Sequence, residues 1–163
     1  MKTFEKLKEE LLTRAKNAGA CQSGYAMGLR SNTKADLLKA ITENWFWVLK
    51  DAKIIDAEYL EDNFTEEELS QAGIYTKNTH EVRTSSFACG SATVKAYDGA
   101  TVKAYGSATV EAYDGATVKA YENSYVEDCT GNIRPESDYA IVKDYYNHKI
   151  YIKKGKFEII EID

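Results

Sequence analysis

The chain has few of the residues that carry most enzyme chemistry. Its two histidines, His80 and His148, each stand alone in a polar stretch. The short motifs of zinc proteases, serine hydrolases, P-loop proteins and dinucleotide-binding proteins are all absent from the sequence. We therefore expect no catalytic residues, no cofactor and no enzymatic activity.

Cysteine is also scarce, with three residues that lie far apart, Cys21, Cys89 and Cys129. An odd number without clustering argues against a disulfide framework and against a zinc site. Cys89 and Cys129 occupy the same position of an eight-residue repeat and are five repeats apart. In a coil made of two repeats they would lie on opposite faces, so we predict that no disulfide joins them.

Long apolar runs and a surplus of positive charge are missing as well. No stretch reaches the roughly 18–20 apolar residues of a membrane helix, and the first residues show no apolar core of a signal peptide. We therefore expect a cytoplasmic protein without membrane contact. Acidic residues outnumber basic ones by 26 to 21, which argues against direct nucleic-acid binding and favours contact with a basic protein surface.

What the sequence does contain is an octapeptide repeated without a gap over residues 90–121. The four repeats read GSATVKAY, DGATVKAY, GSATVEAY and DGATVKAY. In each of them Ala, Val and Ala alternate with Thr, Lys or Glu, and Tyr, which is typical of a strand with one buried face. A fixed short period of this kind indicates a stacked architecture.

The Asp98-Gly99 pair is also typical of a tight hairpin. A hairpin would place Val94 opposite Lys103, so that both faces of the sheet would mix valine with lysine. Parallel strands stacked in a β-solenoid instead place valine over valine and keep one face dry. We therefore predict a solenoid.

Two octets per coil are favoured over three. The repeats alternate between GSATV and DGATV, so the full period is sixteen residues. Two octets per coil place Lys95 over Glu111, an opposite-charge pair, and Lys103 over Lys119. Three octets would place Lys95 over Lys119 and lose the alternation. Flanking octets that keep the phase extend the predicted solenoid over residues 81–145, or about four coils and ~20 Å of stack.

The residues before the repeats show the periodicity of amphipathic helices. We predict helices over residues 2–17 and 34–49, and a short helix that starts near Asp56. A further helix begins with a capping box at Thr65. These elements form a small helical domain that we expect to pack on the first coil.

Two stretches of this helical domain allow alternatives. The glycine-rich stretch between the first two helices is hard to assign, and one interpretation is a short helix with a close backbone approach at Gly24 or Gly28. The Trp45-Phe46-Trp47 cluster is interpreted as a cap over the open end of the solenoid. An aromatic binding patch is the alternative interpretation.

Large apolar residues follow the repeats and predict two strands around Lys154-Gly155. These strands would cap the last coil, and an edge left uncovered there would pair two copies of the chain as a homodimer. The whole chain is therefore predicted to be an α+β protein. Its helical domain covers residues 1–75, its solenoid covers 76–145 and its C-terminal β cap covers 146–163.

Outward-facing tyrosines are the candidate partner contacts, because tyrosine buries a large area at little entropic cost. Tyr97 and Tyr113 form one predicted row and Tyr105 and Tyr121 form the other, with Glu111, Asp98 and Asp114 as acidic neighbours. Each turn carries at most one aspartate, which argues against a calcium site. The threonine rows are similar to those of ice-binding solenoids, but charged residues and tyrosines flank every threonine, so ice binding is a minor alternative.

The octets resemble tandem repeats in phage- and prophage-encoded proteins of gut bacteria. Those proteins are similar in plan, with a helical N-terminal region, octapeptide repeats and a strand-rich tail like IYIKKGKFEIIE. The resemblance implies an accessory protein in the cytoplasm of a bacterial host cell. It further implies an inhibitor that binds a CRISPR-type defence nuclease complex, and it supplies no catalytic residues. A structural or oligomerising module, such as a virion component, is the alternative.

Overall fold

The structure is a computed structural model that describes residues 1–162. The chain divides into two compact units, Met1–Gly73 and Ile74–Asp163. The first unit is helical and the second is built from strands, so the predicted α+β class is confirmed. Among the described residues, no helix combines the length and the apolar character needed to cross a membrane.

The described part of the first unit consists of five α-helices and one π-helical turn. They are α1 (Phe4–Asn17), α2 (Gln22–Arg30), α3 (Lys34–Glu43), the π-helical turn (Trp47–Asp51), α4 (Ala57–Asn63) and α5 (Glu66–Gln71). Capping boxes at Thr33 and Thr65 start α3 and α5, because each threonine hydroxyl accepts a hydrogen bond from a backbone N–H of the first turn. Leu7, Leu38 and Leu60 are almost completely buried in the core of this unit.

The glycine-rich stretch forms helix α2, which approaches its neighbours closely. A Cβ added at Gly24 would lie 3.1 Å from Asn44 Oδ1, and one added at Gly28 would lie 3.2 Å from Leu12 Cδ2. Both distances are shorter than ordinary van der Waals contact. The interpretation as a short helix with a close backbone approach at these two glycines is therefore confirmed.

The single helix predicted over residues 34–49 is interrupted. Helix α3 ends at Glu43, and the side-chain amide of Asn44 donates to the carbonyl of Ala40 at 2.9 Å. Such a local side-chain bond competes with the regular helical bonds. The chain then continues into the π-helical turn, in which the N–H of Ala52 donates to the carbonyl of Trp47 at 2.8 Å.

The second unit is a β-solenoid of about four coils. Its strands are β1 (Ile74–Tyr75), β2 (Thr79–Val82), β3 (Ser86–Ala88), β4 (Thr93–Ala96), β5 (Thr101–Ala104), β6 (Thr109–Ala112), β7 (Thr117–Ala120), β8 (Tyr125–Asp128), β9 (Ile141–Asp144) and β10 (Lys149–Tyr151). The smaller sheet has the order β1-β3-β5-β7, and the larger sheet has the order β10-β9-β8-β6-β4-β2. From β1 to β8, successive strands alternate between the two sheets, which confirms two strands per coil.

Identical positions of the repeats lie beside each other in both sheets. Val94 lies beside Val110 in the larger sheet, and both side chains are fully buried with the neighbouring alanines. The threonine and charged positions alternate with them and face outward. Lys95 lies beside Glu111 and Lys103 beside Lys119, as two octets per coil require. Three octets per coil are therefore excluded.

The Asp-Gly corners use a hairpin-type turn without forming a hairpin. The N–H of Ala100 donates to the carbonyl of Tyr97 at 3.0 Å. Asp98 and Gly99 both have positive φ, at +53° and +73°. Two positive φ angles are typical of the type I′ turn, which usually joins two paired strands. Here the turn joins strands of different sheets.

The ladder of strands begins earlier than the predicted residue 81. Strand β1 pairs with β3, and β2 pairs with β4. The first coil is shorter than the others, since Thr79 lies beside Thr93 whereas Thr93 lies beside Thr109. Because the first coil is shorter than sixteen residues, β1 and β2 are out of phase with the octets and could not be predicted from the repeat.

Two buried aspartates interrupt the inward alanine row at the far end of the larger sheet. Asp128 lies beside an alanine of β6, Asp144 lies beside Asp128, and both are at most 1% exposed. The Asp128 carboxylate accepts hydrogen bonds from the N–H groups of Thr130 and Ile133 at 2.7 and 2.9 Å. These bonds fold the chain into a loop between β8 and β9, and Ile133 of this loop joins the core.

Strand β10 forms the predicted C-terminal cap, but the second predicted strand is missing from the described residues. Strand β10 runs antiparallel to β9, and Tyr151 packs against the solenoid core. Residues 157–162 have no regular structure. The interpretation of this region as two strands around Lys154-Gly155 is therefore wrong.

The turn after β10 explains why no hairpin forms. The N–H of Lys156 donates to the carbonyl of Lys153 at 3.3 Å, and Gly155 has φ +76° while Lys154 does not lie in the positive region. This pattern is that of a type II turn, whose twist splays the flanking segments apart.

Candidate interaction surface

The outer side of the larger sheet carries most of the predicted contact residues and is called the larger-sheet face. Two of the rows that run along the stack on this face carry most of its charged and aromatic side chains. One row is Glu81, Lys95, Glu111, Glu127 and Lys143, and the other is Arg83, Tyr97, Tyr113, Cys129 and Tyr145. Each row repeats at the spacing of neighbouring strands, about 4.8 Å.

Glu111 is the central group of this face. Its Oε2 accepts a hydrogen bond from the Tyr113 hydroxyl at 2.8 Å and lies 3.1 Å from the Lys95 ammonium. The predicted pairing of Lys95 with Glu111 is therefore present. The hydrogen bond to Glu111 raises the pKa of Tyr113 to about 12, and burial and the Glu111 charge add to the effect. The hydrogen bond and charge of Glu111 also raise the pKa of Lys95.

Tyr97 and Tyr113 form a stacked pair beside Glu111. Their ring centroids are 5.1 Å apart and the rings are nearly parallel, at 12°. The Arg83 guanidinium lies 5.3 Å from the Tyr97 ring centroid and forms an ion pair with Asp98. The stack therefore has a cation over the Tyr97 ring, and the Tyr113 hydroxyl is fixed by its hydrogen bond to Glu111.

Glu127 extends the network toward the last coil. Its Oε1 accepts hydrogen bonds from the hydroxyls of Tyr125 and Tyr145, both at 3.3 Å. The Lys143 ammonium lies 4.4 Å from the Tyr145 ring centroid. These residues were not among the predicted contacts, although Glu127 holds the octet position of Lys95 in a repeat that keeps the phase.

The turn carboxylates lie at the edge of the same face. Asp98 and Asp114 follow Tyr97 and Tyr113 directly, and the N–H of Gly99 donates to the Asp114 carbonyl at 3.1 Å. Both aspartates are exposed. The larger-sheet face therefore brings together five of the seven predicted contact residues, namely Tyr97, Tyr113, Glu111, Asp98 and Asp114.

The second predicted tyrosine row lies at the opposite edge, and half of it is inaccessible. Tyr105 and Tyr121 stack with a centroid distance of 4.7 Å. Tyr105 is only 2% exposed, and its row places it beside Tyr121 and the buried Cys89 of the preceding coil. The prediction that Tyr105 is an outward contact residue is therefore wrong. Tyr121 is half-buried, and this burial raises the pKa of its hydroxyl.

The three cysteines occupy different surroundings, and no disulfide joins them. Cys89 lies in the row of Tyr105, and Cys129 lies in the row of Tyr113, so their predicted placement on opposite faces is confirmed. Burial and the nearby carboxylates, Asp128 first, raise the pKa of the Cys129 thiol. Cys21 caps α2 in the helical unit, where hydrogen bonds from the Ser23 hydroxyl and the Gly24 N–H lower the pKa of its thiol.

The larger-sheet face is chemically mixed, with aromatic rings beside paired charges. Over residues 1–162 no three histidine, cysteine or carboxylate side chains are grouped in a way that could hold a metal ion. The arrangement is suited to contact with another macromolecular surface, because it presents preformed aromatic area with a charged rim. Comparison with protein-family models, with curated proteins and with solved structures finds no match to this chain.

Proposed function

We propose that the chain is a non-enzymatic binding protein whose larger-sheet face contacts a protein partner. The observation that carries this proposal is the stacked Tyr97–Tyr113 pair, in which Arg83 lies over the Tyr97 ring and Glu111 accepts a hydrogen bond from the Tyr113 hydroxyl. Aromatic side chains that are already fixed lose little entropy when a partner covers them. The pair therefore forms the centre of the proposed contact.

The partner surface is proposed to be basic. Acidic side chains outnumber basic ones on the face and its edge, with Glu81, Glu111, Glu127, Asp98 and Asp114 against Lys95, Lys143 and Arg83. Surfaces of complementary charge associate faster and reject partners of the wrong charge. A basic partner surface fits this distribution.

The proposed partner is a bacterial defence nuclease complex, and the proposed effect is inhibition. The resemblance of the octets to phage- and prophage-encoded repeat proteins supports this choice. Nuclease complexes carry basic surfaces for nucleic acid, and an acidic, rigid face that covers such a surface would exclude the substrate. The site of action is then the cytoplasm of the host cell.

The test is an affinity pull-down of the full chain from a bacterial lysate that contains CRISPR-type and other defence systems, with mass spectrometry of the bound proteins. A Tyr97→Ala, Tyr113→Ala variant removes the stacked pair. A Thr117→Ala, Lys119→Ala variant serves as the matched control, because both residues are exposed on the other sheet. Circular dichroism establishes that both variants are folded.

We expect one nuclease complex to be enriched by the wild-type chain and by the control, and lost from the tyrosine variant. A complex retained equally by all three chains would contradict the choice of face. Recovery of the chain alone would favour the structural or oligomerising alternative. Thermal hysteresis of the isolated protein would favour ice binding, for which the row of Thr79, Thr93 and Thr109 is the only basis on this face.

A further inference from the structure

The larger sheet ends in a strand that has a neighbour on one side only. Within residues 1–162, β10 pairs with β9 and forms the last strand of the sheet. The outer edge of such a strand presents backbone N–H and C=O groups that can pair with another strand. Ile150 lies on this edge strand and is 65% exposed.

A short apolar segment follows this edge strand closely. Ile159, Ile160 and Ile162 are 73%, 76% and 89% exposed. Isolated exposed apolar residues are ordinary, but a cluster of them in a chain that also has an open sheet edge is typical of an interaction site. The segment 158–162 is therefore a candidate to pair with a β10 edge.

A type II turn at residues 153–156 separates the segment from the β10 strand of its own chain. The twist of this turn type disfavours pairing between the residues on its two sides. Lys156 then forms an ion pair with Asp138 at 2.8 Å, and the Phe157 ring packs edge-on against Tyr139 with centroids 6.1 Å apart. These contacts fix the start of the segment against the turn before β9.

The charges of the segment match those of the edge strand. Glu158 and Glu161 lie within the segment, whereas Lys149 and Lys153 flank the apolar residues of β10. Opposite charges on neighbouring strands stabilise their pairing, and like charges oppose it. Both halves of a complementary pair are therefore present in one chain.

We propose that residues 158–162 of one copy add as a strand to the outer edge of β10 in a second copy. The exchange is reciprocal, so it closes a two-fold dimer in which each copy covers the open edge and the exposed isoleucines of the other. This dimer does not depend on the proposed function, because it uses β10 and residues 158–162, whereas the proposed partner contact is centred on Tyr97 and Tyr113.

The test uses charge reversal in the full chain and sedimentation velocity at concentrations up to about 100 μM, where a dimer with a micromolar Kd is well populated. One variant carries Lys149→Glu and Lys153→Glu, and the other carries Glu158→Lys and Glu161→Lys. Each variant alone places like charges across the proposed strand pair. An equal mixture restores opposite charges at both junctions.

We expect the wild-type chain to be a dimer, each variant alone to show at least a tenfold higher Kd, and the mixture to form a heterodimer of near wild-type affinity. A monomeric wild-type chain would overturn the proposal. So would a dimer that both charge variants retain, or a mixture that contains monomers only.

A second pair of variants tests the apolar contribution. Ile159→Asn with Ile160→Asn is expected to raise the Kd of the dimer about tenfold or more, since two apolar side chains leave the interface. Leu29→Asn is the matched control, because Leu29 is 56% exposed on α2 and lies outside the solenoid. An equal effect of both substitutions would contradict the placement of the interface.

Discussion

Among single residues, the cysteines differ in their expected reactivity because their surroundings differ. Cys21 is exposed and hydrogen bonds lower the pKa of its thiol, whereas Cys129 is exposed but its thiol pKa is raised. The thiolate is the reactive form. We therefore expect iodoacetamide at pH 7.5 to modify Cys21 first, Cys129 more slowly and the buried Cys89 only after unfolding.

Peptide mass spectrometry over a time course measures this order. The Ser23→Ala variant removes one hydrogen bond to the Cys21 thiol at 3.3 Å and is expected to slow its modification. Modification of Cys89 at the rate of Cys21 in the folded protein would contradict the burial of the tyrosine row to which Cys89 belongs.

A second residue-scale prediction concerns Tyr113. Glu111→Gln removes the charged acceptor that raises the pKa of Tyr113 to about 12, so this pKa is expected to fall toward the ordinary value of 10.0. NMR of ring-labelled tyrosine at increasing pH follows the titration directly. The Glu81→Gln variant changes a carboxylate of the same row that has no bond to Tyr113, and it is expected to leave the titration unchanged.

The raised pKa also sets the direction of a pH effect on stability. A group whose pKa is raised by folding contributes stability below its unfolded pKa and loses that contribution as the pH rises through its folded pKa. The stability difference between wild type and Glu111→Gln is therefore expected to be constant between about pH 7 and pH 10 and to shrink above pH 10, where Tyr113 and Lys95, whose pKa values Glu111 raises, lose their protons. Urea unfolding over this range measures it.

Single residues also show what the sequence could and could not predict about the site. The pairing of Lys95 with Glu111 was predictable, because the period alone determines which positions lie side by side. The burial of Tyr105 was not, because Tyr105 and Tyr97 hold the same octet position and yet only Tyr105 is buried. The position of a tyrosine in the repeat predicts the row in which it lies, but it does not predict whether its side chain is exposed or buried.

At the scale of elements, the corner after β9 depends on one carboxylate. Asp144 accepts hydrogen bonds from the N–H and the side-chain amide of Asn147, both at 2.8 Å. Burial raises the pKa of Asp144, but these bonds outweigh it and hold the pKa below the usual 3.8. A depressed carboxyl pKa contributes stability above the unfolded pKa and loses it as the pH falls through the folded pKa.

We therefore expect Asp144→Asn to destabilise the protein at pH 7 and the difference from wild type to shrink below about pH 4. Chemical unfolding at several pH values measures this trend. Asp114→Asn changes an exposed turn carboxylate and is expected to have little effect at pH 7. A destabilisation by Asp144→Asn that grows toward acid pH would contradict the assignment.

Elements that carry local signals were predictable, and those shaped by distant contacts were not. Thr65 and the three glutamates after it predict α5 from the capping chemistry alone. The interruption at Asn44 depends on its bond to Ala40 and on the close packing of Gly24, which the helical periodicity does not contain. The loop after β8 depends likewise on Asp128, a buried carboxylate at an alanine position.

At the scale of the whole molecule, the period of the stack predicts which deletions it tolerates. Removing residues 98–113 deletes one full coil, so that β4 leads into β7 through the same kind of turn and β8 takes the place of β6 beside β4. Removing residues 98–105 deletes half a coil and moves every later strand of the stack to the other sheet, so that β9 and β10 lose their places. We expect the full-coil deletion to unfold cooperatively at a higher temperature than the half-coil deletion.

Thermal unfolding followed by circular dichroism compares the two deletions. A half-coil deletion as stable as the full-coil deletion would show that the two sheets are interchangeable and would contradict this expectation. The architecture itself was predictable from the octets. The alternation of apolar and polar residues predicts strands, and a hairpin is excluded because it would mix valine with lysine on both faces of the sheet. The shorter first coil was not, because its residues keep neither the motif nor its period.

The buried aspartates at the far end have a consequence for the length that such a stack can reach. If the inward row contained only valine and alanine, the last coil would offer the same apolar surface as every coil before it. The first coil of another molecule could then stack on this end, and repeated stacking would produce a fibre. Asp128 and Asp144 stand at alanine positions in β8 and β9, and their hydrogen bonds shape the loop after β8 and the corner after β9. A buried carboxylate needs hydrogen-bond partners of its own, so these residues oppose the stacking of a further identical coil and limit the length of a repetitive sequence.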